Sequence, residues 1–294
     1  MKLAQRVVIS YYTNKLRLLS IVSSQLAAKA AFSLFCTPYT KRKLYKTPKI
    51  FLSAENLSFE VEGYKINGFR WIPKENNNSK KALICHGFDS FSYKFDRYVG
   101  PLLKAGFEVL AFDAPAHGKS SGKTINVSQY SKMILYINEH YGPVDRIMAH
   151  SFGALAVALA VENLENSEDK KLVLIAPATE TTYAIETFFK HIRVSKKVQE
   201  EFNKLIEKIG GNPASWYSVA RVMQKINIPT LWIHDKEDAV TPYEHVHHLI
   251  EKKLPHVHFE ITTGLGHSNI YKDNKIKKRV VEFLTEPTFT QHLL

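Results

Sequence analysis

A chain of 294 residues, 45% hydrophobic and 12% aromatic, can bury one large core within a single domain, and this excludes a disordered or low-complexity chain. The formal charge is +12, yet ten basic residues between Lys2 and Lys49 fall in positions 1–54, where Asp and Glu are absent, so the rest of the chain carries only +2. That near-neutral body, with no aromatic-interleaved basic motif, excludes a nucleic-acid-binding role, and two cysteines, Cys36 and Cys85, are too few for a disulfide framework and fit a reducing cytoplasm.

The N-terminal extension, residues 1–54, places Leu16, Leu19, Val22, Leu26 and Ala30 at steps of three and four, the spacing of one helix face. Arg17 and Lys29 bracket only eleven uncharged residues, too few for a membrane span. Lys15 and Arg17 interrupt any signal-peptide core, and no clean small-residue cleavage site follows. Two expectations stand: a helix packing its apolar face on the body, or an interfacial helix drawn to an anionic membrane.

Beyond Pro48, Leu57 to Val61 alternates, Gly63 turns, and Tyr64 to Ile72 follows, which predicts an antiparallel hairpin. Apolar runs then predict strands at 81–86, 107–112, 144–149, 171–176, 229–234 and 256–262. Helical patterns at 94–105, 126–141, 152–164, 241–253 and 271–285 separate them. Such alternation implies right-handed crossovers and a mostly parallel sheet covered on both faces. The tract Asn76-Asn77-Asn78-Ser79 reads as a polar surface turn. The interval 179–228 is too long for an ordinary connection and contains helical stretches such as Val198 to Ile206, so it reads as a helical cap. The expected division is thus an extension over 1–54 and a body over 55–294 that carries this cap.

Five segments carry chemistry. Between an apolar strand and an Ala/Leu-rich helix lies Met148-Ala149-His150-Ser151-Phe152-Gly153. A nucleophile elbow needs small residues two before and two after its serine, and Ala149 and Gly153 meet that need. Downstream come His234-Asp235-Lys236-Glu237-Asp238-Ala239-Val240-Thr241-Pro242 and then Gly264-Leu265-Gly266-His267-Ser268, so the order is Ser, Asp, His. Upstream, a strand runs into His86-Gly87-Phe88-Asp89, and another into Asp113-Ala114-Pro115-Ala116-His117-Gly118-Lys119-Ser120. Together these segments resemble the α/β-hydrolase fold family over roughly residues 55–285.

That resemblance implies an α/β fold with a mostly parallel sheet of about eight strands, helices on both faces and a helical cap insertion. It implies Ser151 as nucleophile, His267 as base and Asp238 as the acid that orients the base; Asp235, nearer the strand end, competes for the last role. Backbone N–H groups of Phe88 and Phe152 would meet the oxyanion. His86, Gly87, Phe188 and Trp216 are the expected substrate-binding residues, His86 as a loop shaper and not a base. His117 and His150 are expected to be structural, since one triad needs one base, and Cys85 to be a core hydrophobe.

The implied activity is a serine hydrolase of the carboxylesterase type, cleaving a small-molecule acyl substrate in the cytoplasm, with peripheral membrane contact through residues 1–54 as the open alternative. An acyltransferase using the same residues, and a non-catalytic binding protein on the same fold, are the rival readings. No cofactor is expected, for no phosphate loop or dinucleotide fingerprint occurs. No metal is expected either: the groups His245, His247, His248 and His256, His258 lack a His-Glu-x-x-His spacing or a Cys partner and read as surface residues.

Overall fold

The structure is a computed structural model that describes residues 3–39, 45–74, 80–164 and 169–286. The Asn76 to Ser79 tract and the basic residues Lys2, Lys41, Arg42 and Lys43 lie outside the described residues. Helices α1 (Leu3–Val22) and α2 (Ser24–Phe35) open the chain. The hairpin β1 (Glu55–Val61) and β2 (Tyr64–Trp71) follows, turning at Glu62 and Gly63, both with positive φ. Next come β3 (Lys81–Cys85), α3 (Asp96–Lys104), β4 (Glu108–Asp113), α4 (Val127–Tyr141), β5 (Arg146–His150), α5 (Phe152–Val161) and β6 (Lys171–Ile175). Helices α6 (Thr181–His191), α7 (Lys196–Gly210) and α8 (Val219–Met223) interrupt the alternation before β7 (Thr230–Asp235), α9 (Glu244–Glu251), β8 (Val257–Thr262), α10 (Gly266–Asn269) and α11 (Asn274–Thr285). Each strand matches its expected position to within two residues at either end.

The chain divides into two compact units, Met1–Thr37 with Glu180–Ser218, and Pro38–Thr179 with Val219–Leu294. This partition differs from an extension ending at residue 54. Residues Lys49–Ser53 form a short 3₁₀ turn whose Phe51 is buried edge-on against Phe69 and Trp71, so the stretch past Pro38 belongs with the sheet.

In the larger unit the eight strands lie in the order β1-β2-β4-β3-β5-β6-β7-β8. Pairing is antiparallel for β1/β2 and β2/β4 and parallel for the other five contacts. Strands β4, β5, β6 and β7 are buried along their whole length, the condition that helices on both faces impose. One face, through Ile84, Val109, Met148 and Ile233, packs against Tyr98 and Leu102 of α3 and Ile276 and Val280 of α11. On the other, Phe59 of β1 stacks on Tyr136 of α4 at 4.5 Å. Helix α4 starts at a capping box, Asn126 and Gln129 satisfying each other's amides. Helix α5, five of whose ten residues are Ala or Gly, packs closely with α4 because small side chains let the backbones approach.

In the smaller unit, α1 and α2 pack together and α2 packs on α7. Phe32 and Phe35 of α2 meet Phe202 of α7 edge-on, and Phe35 also meets Phe188 of α6. Residues 180–218 close on themselves at their base, where the Ser218 hydroxyl donates to Glu180 at 2.8 Å and the Thr181 hydroxyl to the Tyr217 carbonyl at 2.8 Å. The apolar stripe expected from Leu16 to Ala30 does not exist as one face. Ser23 ends α1 and caps α2, its hydroxyl accepting the Leu26 amide, and the break resets the helical phase. Leu16 is buried while Val22 and Leu26 are exposed.

Candidate active site

Strand β5 ends at His150 and α5 begins at Phe152, so Ser151 makes the whole turn between them. Its φ of 54° and ψ of −122° lie in a region that L-residues occupy only under constraint. The neighbours supply the constraint. A Cβ at position 153 would stand 2.3 Å from the His86 carbonyl oxygen, so Gly153 alone lets α5 approach the end of β3. A Cβ at Gly87 would come within 2.9 Å of both the Ser151 Cβ and the His150 ring. The buried Ala149 keeps the strand side equally slim.

The expected serine, histidine and acid meet in series. His267 Nε2 lies 2.9 Å from Ser151 Oγ, and His267 Nδ1 lies 2.8 Å from Asp238 Oδ2. His267 sits within the short helix α10. Asp238 is fully buried; burial pulls its carboxyl up, but the hydrogen bond and charge of His267 and the amides of Thr241 and Val240 outweigh this and hold it at about 2. A carboxylate at Asp238 fixes the proton of His267 on Nδ1 and leaves Nε2 free to accept from Ser151.

Asp235 is occupied otherwise. Its two oxygens accept the amides of Glu237 and Leu265 and the hydroxyl of Thr262, tying the loop that carries Asp238 to the end of β8 and the residue that leads into α10. Thr241 was not singled out by the sequence. Its hydroxyl donates to Asp238 Oδ2 at 2.8 Å and its amide to Oδ1 at 2.8 Å, while its carbonyl is 2.6 Å from the ring of the buried His234. The legible signal is the Asp-x-x-Thr spacing, which lets an Asp side chain cap the amides that follow it.

Phe88 and Phe152 come together, their rings edge-on at 5.4 Å. Phe152 is the first residue of α5, and helix geometry leaves its N–H without an intrahelical acceptor while the helix dipole adds partial positive charge beside Ser151. His86 Nε2 accepts the Ala114 amide at 2.9 Å, so its Nδ1 carries the proton and donates to the Gly87 carbonyl. His117 accepts the Asp89 amide through Nε2 and donates through Nδ1 to the Pro115 carbonyl. His150 donates through Nε2 to the carbonyl of His267 at 3.0 Å, and its buried Nδ1 has no partner. Burial pushes His86 and His117 down to about 4 and His150 to about 3, so all three are neutral at pH 7. Cys85 is a buried thiol whose pKa burial raises.

Phe188 and Trp216 belong to the smaller unit. There Phe188 packs among Phe35, Phe189 and Phe202, and Trp216 lies edge-on to Tyr217. Among the described residues no group of three His, Cys, Asp or Glu side chains could hold a metal ion.

The sheet order, the strained serine between β5 and α5 and the Ser-Asp-His order occur together in one family. The family described as serine aminopeptidase, S33, matches residues 76–219, a span that includes Ser151 and ends before Asp238 and His267. The crystallised esterase Pf2001 of Pyrococcus furiosus superposes with a TM-score of 0.60 at 23% identity, covering 86% of this chain and 98% of that one. The chain has the α/β-hydrolase fold. The uncharacterized protein YqkD of Bacillus subtilis is 27% identical over 240 residues, 76% of either chain. A Mycoplasma genitalium protein whose name marks it as a candidate esterase/lipase is 25% identical over 234 residues, 68% of this chain and 86% of its own. Among the described residues of this α/β-hydrolase chain, no helix is long and apolar enough to cross a membrane.

Proposed function

We propose that the protein is a serine hydrolase that cleaves an ester-like acyl substrate through a Ser151 acyl-enzyme. The observation that carries this reading is the unbroken series Ser151 Oγ, His267 Nε2, His267 Nδ1, Asp238 Oδ2, with 2.9 and 2.8 Å at its two hydrogen bonds. His267 takes the Ser151 proton as Oγ attacks the substrate carbonyl, and the oxyanion forms against the N–H groups of Phe88 and Phe152. Collapse breaks the ester bond, and the leaving alkoxide takes the proton from His267. Water then attacks the acyl-enzyme, giving its proton to His267, and Ser151 Oγ leaves with that proton as the acid is released. Throughout, Asp238 stays ionised and stabilises the imidazolium.

An ester is favoured over a peptide as substrate because its alkoxide leaves with less assistance than an amine, and the name of the M. genitalium relative agrees with it. The cytoplasm fits two unpaired cysteines, both buried as free thiols.

The reading is tested with a fluorophosphonate, which phosphonylates only an activated serine. The intact chain is expected to label at Ser151 and to hydrolyse short p-nitrophenyl esters. Ser151→Ala and His267→Ala should each lower kcat by about 10⁴-fold, and the double variant by no more than either alone, because the two groups act as one unit. Absence of labelling in a chain that is folded, or additive losses in the double variant, would overturn it.

A further inference from the structure

Helix α1 is embedded on one side only. At about 100° per residue, Ile9, Tyr12, Thr13, Leu16, Leu19 and Ser20 fall on one side of it, all buried or half-buried. On the opposite side, Leu3, Val7, Tyr11, Leu18, Ile21 and Val22 share an arc of about 100° and are each between 59% and 82% exposed. They extend from one end of the 20-residue helix to the other, a length of about 30 Å. The face is therefore not the loose side of a frayed helix: α2 packs against the inner side, and the Arg17 Nε donates to the Arg193 carbonyl at 3.0 Å.

The charge around the face selects what covers it. Arg6 and Arg17 border the arc on one side and Lys15 on the other, all three exposed, and the sequence has no Asp or Glu before Glu55. A second copy of this helix would bring cation against cation. A mainly apolar strip with basic margins, interrupted among its described polar side chains only by the exposed Asn14, fits instead a surface that is apolar a few ångströms deep and anionic at its rim. We propose that the outer face of α1 seats the protein on the surface of an anionic bilayer, with Leu18, Ile21 and Val22 entering the acyl boundary and Arg6, Lys15 and Arg17 reaching the headgroups. The helix lies in the plane of the surface, and the site chemistry proposed above is independent of it.

Flotation of the full-length protein with phosphatidylcholine vesicles and with vesicles containing phosphatidylglycerol tests the proposal. Binding is expected with the anionic vesicles alone and should weaken as salt is raised. Leu18→Gln combined with Ile21→Gln should reduce it roughly tenfold or more, with the melting temperature and ester turnover unchanged because both side chains already face water. Arg6→Gln with Lys15→Gln should weaken binding and flatten its salt dependence. The proposal fails if the intact chain does not float with anionic vesicles or if the Leu18/Ile21 variant floats as well as the parent. It fails equally if the face instead drives a concentration-dependent dimer that the same variant dissolves, with no vesicle binding.

Discussion

His86 and His117 clasp each other's loops: the ring of His86, after β3, accepts the Ala114 amide after β4, and the ring of His117, after β4, accepts the Asp89 amide after β3. The rings lie 5.1 Å apart, edge to face. The clasp fixes the turn Gly87-Phe88 from both sides, the turn that carries one of the two proposed oxyanion donors. Each ring accepts through Nε2, so protonation of either would set an N–H against an N–H.

Both rings are held at about 4 by burial, against about 6.5 for an unfolded histidine. The neutral forms therefore stabilise the fold fully above about pH 6.5, and that contribution is lost as pH falls toward 4, at about 1.4 kcal/mol per pH unit for each proton taken up. The melting temperature is expected to fall across this window, with ester turnover declining through kcat. His117→Gln keeps an acceptor for the Asp89 amide but cannot titrate, so its melting temperature should fall less steeply with acid. An unchanged slope in thermal melts from about pH 7 to pH 4.5 would show that the clasp is not the titrating element.

The two carboxylates of the β7 loop should separate by kind of damage. Asp238→Asn keeps an oxygen for the Val240 and Thr241 amides but presents an N–H₂ to His267 Nδ1, which favours the wrong tautomer; kcat should fall about 10⁴-fold with little change in melting temperature. Asp235→Asn leaves that tautomer alone and weakens the links to Leu265 and Thr262. Hydrogen bonds to a charged group are worth about 1.5–3 kcal/mol, so the second variant should melt several degrees lower and keep much of its turnover. Reversed ranking in parallel kinetics and melts would exchange their roles.

Gly153 sets the distance between α5 and the end of β3. In Gly153→Ala the new methyl must displace the His86 carbonyl from its 2.3 Å position, and the loop that moves is the clasped one. Destabilisation above about 3 kcal/mol is expected, because a buried backbone atom has no flexible end to yield. Ala149→Gly, which only removes a methyl from a buried strand position, should cost about 1 kcal/mol. Equal melting temperatures for the two variants would show that the close approach is not what constrains Ser151.

The strands and the order of the chemical residues were legible because each depends on local pattern: continuous apolar runs between helical repeats, and a small-x-Ser-x-small turn. Asp238 was legible only through the family resemblance, and the reason it prevails over Asp235 is three-dimensional, since Asp235 is consumed by amides thirty residues away. The crossed histidine clasp could not be read because both members pair with backbone atoms, which leave no sequence signature. The N-terminal stripe misled for a related reason. A serine in an apolar repeat is neutral to periodicity, yet at position 23 it caps a new helix, and the residues on either side then belong to two different faces.

The partnership of residues from opposite thirds of the chain was likewise hidden, and it makes the last prediction. Phe202 of α7 is fully buried and touches Phe32, Phe35, Phe188 and Phe189, so two of its four ring contacts come from α2 and two from α6. Phe202→Ala should cost about 3–5 kcal/mol within the smaller unit, the transfer cost of the ring plus the void it leaves. Because α2 and α6 are held through the same ring, limited proteolysis should then cut both the first 37 residues and the 180–218 segment faster. The larger unit has its own sheet and core, so its strands should stay protected in hydrogen exchange. Faster cleavage of only one of the two segments would show that the N-terminal helices and the excursion between β6 and β7 do not fold as one unit.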